Sequence, residues 1–277
     1  MSEPSQGQPT SDELREFAGM VARYKAGEMV ALMIHLGDRL GLYETLAGAG
    51  PVTASDLAGK TGLQERWLLE WLRGQAAAEI IAYRGDDRFE LTTVAEVVLS
   101  HHSSPWCFAG FFCAPTPPEI INRMADAFRS GIGLSWNDHG PEVARMLERM
   151  TGPVHALLPN VISLLDGMHE VLENGGRVVD VGCGAGVALL VLAKAYPKAE
   201  FWGYDPSPEG IDRARASVQK EGLSNVHLEV AGGEDLPAES AFDLVMTLDC
   251  MHDLPHPKPV IEAIRRAIKP DGCWLIK

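Results

Sequence analysis

Val178-Val179-Asp180-Val181-Gly182-Cys183-Gly184-Ala185-Gly186 decides how this chain is read. Four residues of strand character run into three glycines at alternate positions, and the apolar stretch at 187–196 that follows has helical spacing. A glycine-rich turn between a strand and a helix lets backbone approach a ligand more closely than any side chain permits, and it presents amide groups at the helix start. A nucleoside-containing cofactor is implied. The dinucleotide fingerprint G-x-G-x-x-G/A requires Gly or Ala where this chain has Val187. The pattern is instead D-x-G-x-G-x-G. An acid two residues ahead of the first glycine opposes a pyrophosphate but suits an amino-acid ammonium.

Outward from that turn, strands and helices alternate. Strands are predicted at 178–181, 201–204, 226–230, 244–248 and 273–276, and helices at 187–196, 210–221 and 258–268. The alternation predicts βαβ units, and so an α/β, Rossmann-like, doubly wound parallel sheet with its ligand at the carboxyl ends of the strands. Asp205, in Trp202-Gly203-Tyr204-Asp205-Pro206, closes the second strand where an acid can take two ribose hydroxyls.

These motifs resemble the class I S-adenosylmethionine-dependent methyltransferases over residues 176–277. By that resemblance Asp180, Gly182, Cys183, Gly184 and Gly186 hold the methionine end of S-adenosylmethionine, and Asp205 with Pro206 holds the ribose. The family's Gly-Asp-Ala-x-x-Leu-Pro after the third strand is Ala231-Gly232-Gly233-Glu234-Asp235-Leu236-Pro237 here, so the adenine contact moves to Glu234 or Asp235. The fourth strand leads into Asp249-Cys250-Met251-His252-Asp253, where family members face both the sulfonium and the acceptor. Asp249 is therefore a cofactor contact. His252 is the candidate general base, with Asp253 or Asp249 to orient it. The family sheet has seven strands; this chain stops at Cys273-Trp274-Leu275-Ile276-Lys277, which reads as strand five, so the sheet is expected to be truncated there.

Ahead of this domain, residues 1–10 read as a disordered tail and 11–100 as a helical winged-helix domain. Two helices are predicted through Leu14, Phe17, Met20, Val21, Tyr24 and then 29–40; the stretch 29–36 is apolar nearly all round, as expected of a homodimer interface. A helix-turn-helix follows, starting at Thr53, stopping at Gly62 and resuming over 65–77, with a wing at Arg84-Gly85-Asp86-Asp87-Arg88. Trp67, Leu68, Leu69, Trp71 and Leu72 make the second helix mostly buried. Residues 1–110 carry nine Lys/Arg against fifteen Asp/Glu. That balance, within a formal net charge of −14, weighs against a DNA-binding regulator.

Residues 101–175 read as a helical connector, with helices at 119–128, 141–150 and 154–172. The winged-helix arrangement resembles small-molecule O-methyltransferases and actinobacterial winged-helix methyltransferases. That likeness implies dimerisation through the N-terminal helices and an acceptor pocket roofed by the connector. Phe112, Trp136 and His139, with Phe111, Met124 and Met150, would line that pocket for a small, mostly apolar acceptor. Five cysteines without a C-x-x-C pair predict reduced thiols and no metal site. The polar, acidic N-terminus and the short apolar runs predict a cytoplasmic protein without a membrane span.

Overall fold

A computed structural model describes residues 9–277, except 103, 113, 135–137 and 139–140 and the side chains of 141, 142, 144 and 145. The chain divides into two compact units, Met1–Thr116 and Pro117–Lys277. The division falls inside the connector.

In the first unit, α1 (Ser11–Arg39) is one helix where two were predicted. The start is fixed by a capping box, in which Thr10 and Glu13 satisfy each other's backbone amides. No proline interrupts the run, and the central glycines cost too little to stop a helix of this length. Then come α2 (Leu42–Leu46), α3 (Ala54–Thr61) and α4 (Glu65–Ala77). Thr53 and Asp56 box the start of α3, and Gly62, at φ 72°, ends it. The wing is β1 (Ala82–Tyr83) paired antiparallel with β2 (Phe89–Glu90), and α5 (Thr93–Leu99), capped by Thr92, had no predicted counterpart. Tyr43, Leu57, Leu72 and Phe89 are fully buried among these elements. The second helix of the turn is less buried than expected. Leu68, Trp71 and Leu72 face the core, but Trp67 is 76% exposed.

The second unit opens with α6 (Pro118–Ser130), α7 (Pro141–His155), α8 (Leu158–Ile162) and α9 (Met168–Glu173). The predicted break after 150 is absent: α7 runs on through Pro153 for one further turn. The predicted helix 154–172 is split instead, because Gly167 takes a left-handed conformation at φ 69° ahead of α9. The sheet comprises β3 (Arg177–Val181), β4 (Glu200–Asp205), β5 (Val226–Val230), β6 (Phe242–Thr247) and β7 (Ile268–Ile276), in the order β5-β4-β3-β6-β7. Every neighbouring pair is parallel. Helices α10 (Val187–Ala195), α11 (Pro208–Glu221) and α12 (Pro257–Ala267) connect the strands. Val178, Leu244 and Met246 face one apolar layer with Leu189 and Leu192 of α10, whereas Val179 and Val245 face another with Val260 and Ile264 of α12. The sheet is therefore doubly wound. The chain enters at β3, builds out to β5, and returns to β6 on the other side. The switch point lies between β3 and β6, and in open sheets of this kind ligands bind in the crevice beyond the strands' carboxyl ends there.

Candidate functional site

The glycine turn leaves β3 at this switch point. Gly182, Gly184 and Gly186 have φ values of 76°, 53° and 72°, a region open at little cost only to glycine. Their surroundings differ. A Cβ on Gly182 would stand 2.6 Å from Cys250 Cβ, and one on Gly186 would stand 3.1 Å from Ala214 Cβ. A Cβ on Gly184 would meet nothing within 4 Å among the described residues. The outer glycines are thus required by packing, and Gly184 keeps backbone open to the crevice.

Asp180, at the end of β3, is 2% exposed, and its Oδ1 has no hydrogen-bond partner among the described residues. Burial first, and then the charge of Asp205, push its carboxyl up to about 8. An unpaired buried carboxylate is costly, and a cationic partner entering the crevice relieves that cost. Asp205, 8% exposed, accepts the Gly184 amide at 2.8 Å on Oδ2 and the Ser207 amide at 2.8 Å on Oδ1. Burial raises this carboxyl, and the two amide bonds oppose the rise. Each oxygen keeps a lone pair for a hydroxyl. Asp205 therefore both ties the glycine turn to the end of β4 and can hold a diol. Pro206 leads into Ser207, whose hydroxyl caps α11.

Cys183 is buried, and burial raises its thiol. Cys250, whose Sγ donates to the Val181 carbonyl at 3.0 Å, is pushed up to about 12 by burial and then by the charges of Asp180 and Asp205. Both thiols stay protonated and inert as nucleophiles. After β5, the exposed Asp235 bends back to accept the Gly232 amide at 3.0 Å, so its carboxylate caps the short helical turn Gly233–Asp235. Glu234 is exposed beside it.

Beyond β6, the structure separates residues that the sequence reading joined. Asp249 takes a left-handed φ of 56° and pairs with Lys277, whose carbonyl accepts its amide at 3.2 Å. Asp249 is thus engaged with the end of β7 rather than with His252. His252, on the turn Met251–Asp253, is exposed, and its Nε2 lies 3.6 Å from Asp253 Oδ1. Asp253 is the orienting candidate at this distance.

His155, which the sequence reading passed over, ends α7; both of its ring nitrogens are buried without a hydrogen-bond partner among the described residues. A lone histidine on a helix carries no motif, so only the fold could single it out. Of the expected acceptor contacts, Phe112 packs against the first unit's core, where its carbonyl lies 3.2 Å from His35 Nδ1. Phe111 is 46% exposed and Met124 45% exposed, while Met150 is half-buried. Trp136 and His139 lie outside the described residues. On α4, Arg66 pairs with Glu70 and Arg73 with Asp87, the latter at 3.0 Å, so these arginines present acid-paired charge to solvent.

Residues 172–277 match the family described as a methyltransferase domain, and residues 28–99 match the Rv2258c-like winged HTH domain. The second unit carries a methyltransferase domain. The first carries the winged helix. Among curated relatives, the chain is similar to the ubiquinone biosynthesis O-methyltransferase of Xylella fastidiosa (strain M23), 32% identical over 149 residues, covering 53% of this chain and 55% of that protein. The chain thus spans about half the length of the curated relatives it matches. Among solved structures it resembles mitomycin 7-O-methyltransferase MmcR, at 24% identity and a TM-score of 0.69, covering 96% of this chain and 81% of that one. It also resembles human N-acetylserotonin methyltransferase in complex with SAM, at 18% identity and a TM-score of 0.66, covering 99% and 81%. These likenesses establish a shared fold across both units. No helix among the described residues is long and apolar enough to cross a membrane.

Proposed function

We propose that the protein transfers a methyl group from S-adenosylmethionine to oxygen or nitrogen of a small, mostly apolar acceptor. The observation that carries this reading is the pairing of an orphaned buried acid, Asp180, with the open backbone of Gly184 at the switch point of a methyltransferase-domain sheet. The residues fit the cofactor. Asp180 takes the α-ammonium, Asp205 the ribose hydroxyls, and Glu234 or Asp235 the adenine edge; Asp249 stands beside the methionine end.

When bound, S-adenosylmethionine supplies an electrophilic methyl on a sulfonium, a good leaving group. The chain's own residues align the acceptor, exclude water and take a proton. His252 accepts the acceptor's proton while Asp253 steadies the imidazolium that results. With the cofactor bound, its C–S bond would break as the acceptor oxygen or nitrogen took the methyl, and His252 would hold the proton the acceptor gives up. The direct check incubates the protein with S-adenosylmethionine and a panel of phenols and amines. Methylated product accompanied by S-adenosylhomocysteine is expected. Cofactor binding without either product from any acceptor would refute the transferase reading.

The winged helix serves dimerisation in this reading. Leu14, Phe17, Val21 and Tyr24 repeat at three- and four-residue spacing along α1 and are all more than half exposed, an apolar stripe that a second copy would cover. The acid-paired arginines of α4 give no footprint for nucleic acid. We place the protein in the cytoplasm, where its thiols stay reduced.

A further inference from the structure

Several histidines of this chain pair with a single carboxylate, among them His101 with Glu96 at 3.2 Å and His227 with Glu200 at 2.7 Å. At His102 a second carboxylate joins the pair. Its Nε2 lies 2.7 Å from Glu44 Oε1, and donor atoms of Asp38, Glu44 and His102 all fall within 4.8 Å of one another. No other set of three such side chains gathers this closely among the described residues. The three come from separate parts of the first unit: Asp38 from the last turn of α1, Glu44 from α2, and His102 from the segment after α5. Gly41, at φ 67°, makes the left-handed turn between α1 and α2. Asp38 and Glu44 bring like charge to one place, and Asp38 does so at the end of a helix, where the dipole is negative. Burial, and then the charges of Asp38 and Glu44, push the Tyr43 hydroxyl above its usual range, so both carboxylates act on the same spot. On the other side of the imidazole, the buried Cys107 places Sγ 3.9 Å from His102 Nδ1, which leaves Nε2 turned toward the carboxylates.

We propose that Asp38, Glu44 and His102 bind one zinc ion, which ties the segment after α5 to the junction of α1 and α2. Zinc takes imidazole nitrogen and carboxylate oxygen at about 2.0–2.2 Å, which sets neighbouring donors about 3.4 Å apart in a tetrahedral site. The three donors already lie within 4.8 Å, so small side-chain rotations suffice to close them on the ion. A doubly charged cation matches two carboxylates and offsets their mutual repulsion. Calcium and magnesium favour oxygen-only sets, so the imidazole selects against them. Glu44 and His102 are exposed, which leaves the fourth position to water. The role is structural: all three ligands belong to the first unit, whereas the glycine turn with Asp180 and Asp205 belongs to the second. An ion held only by the folded chain stabilises it. Donors at 38, 44 and 102 match no metal-ligand spacing, which is why the sequence alone predicts no metal site.

The test uses the full chain, stripped of metal with a chelator and then titrated with Zn2+ or Ca2+, as wild type, Glu44→Gln, His102→Ala and Glu96→Gln. Calorimetry of wild type is expected to show one Zn2+ bound per chain, more tightly than Ca2+. Glu44→Gln and His102→Ala should each weaken Zn2+ binding at least about 10-fold. Glu96→Gln, which alters only the neighbouring His101 pair, should bind as wild type does. Zn2+ should raise the melting temperature of wild type and Glu96→Gln, and that of the other two variants much less. If His102→Ala folds poorly without metal, Glu44→Gln, which keeps the side-chain shape, decides the matter alone. No Zn2+ binding by wild type would overturn the proposal, as would equal binding in all four proteins or tighter binding of Ca2+ than of Zn2+.

Discussion

Two glycines show how differently the two units use their interiors. Gly37, on α1, is buried; a Cβ there would stand 2.5 Å from Trp71 Cζ2 and 2.8 Å from Tyr43 Cε2, so the protein itself fills the space. A Cβ added to Gly184 would meet no atom within 4 Å among the described residues. The first unit closes its glycine against aromatic rings, and Trp71 also donates to the Met33 carbonyl at 2.9 Å. The second unit holds its glycine open beside an unpaired acid. Open space alone does not distinguish Gly184, since Gly48, Gly50 and Gly85 have it too; its place at the end of β3 beside Asp180 does.

The contrast breaks most sharply at Gly184. Gly184→Val adds strain at a left-handed position, about 1–2 kcal/mol, and places a branched side chain in the crevice. Cofactor binding measured by calorimetry should fall below detection while the fold persists by circular dichroism. Gly37→Val should do the reverse. Overpacking against Trp71 and Tyr43 is expected to cost about 1–3 kcal/mol in thermal or urea unfolding of the first unit, with cofactor affinity retained.

Asp180→Asn sharpens the account further, because the acid is raised to about 8 in the folded chain. Between its unfolded value near 4 and about 8, the folded state binds the extra proton, so stability of the free protein falls as pH rises through that window. The asparagine variant should flatten this fall and melt higher at pH 7 while binding S-adenosylmethionine more weakly. In the wild type, a cationic ligand favours the ionised acid, so binding at pH 7 should release a proton, seen as a dependence of the calorimetric heat on buffer. The smallest effect belongs to the surface: Arg73→Gln removes an exposed pair with Asp87 and should change unfolding free energy by no more than about 0.5 kcal/mol.

The cofactor side of the site was legible because it is local. Asp180, the glycines and Asp205 sit at the ends of adjacent strands, and the strand–turn–helix pattern states where their backbones go. The parallel, doubly wound character of the sheet followed from the same alternation, whereas its strand order did not. Other features depend on tertiary closure. Asp249 meets Lys277, 28 residues on, only because β6 and β7 are neighbours. His155 feels the charge of Asp249 only through the tertiary fold, and no spacing in the sequence encodes that. The single helix α1 was misread because its apolar residues suggested two segments, while the capping box and the absence of proline govern continuity. Asp235 sits where the resemblance suggested an adenine contact, yet its carboxylate caps a backbone turn.

The most direct test of the central claim is isothermal titration of the protein and of Asp205→Ala with S-adenosylmethionine. The account predicts micromolar binding by wild type, weakened by about 100-fold in a variant that still folds, since Asp205 both grips the ribose and anchors the Gly184 amide. Equal affinity in the two proteins, or no binding by a folded wild type, would contradict it.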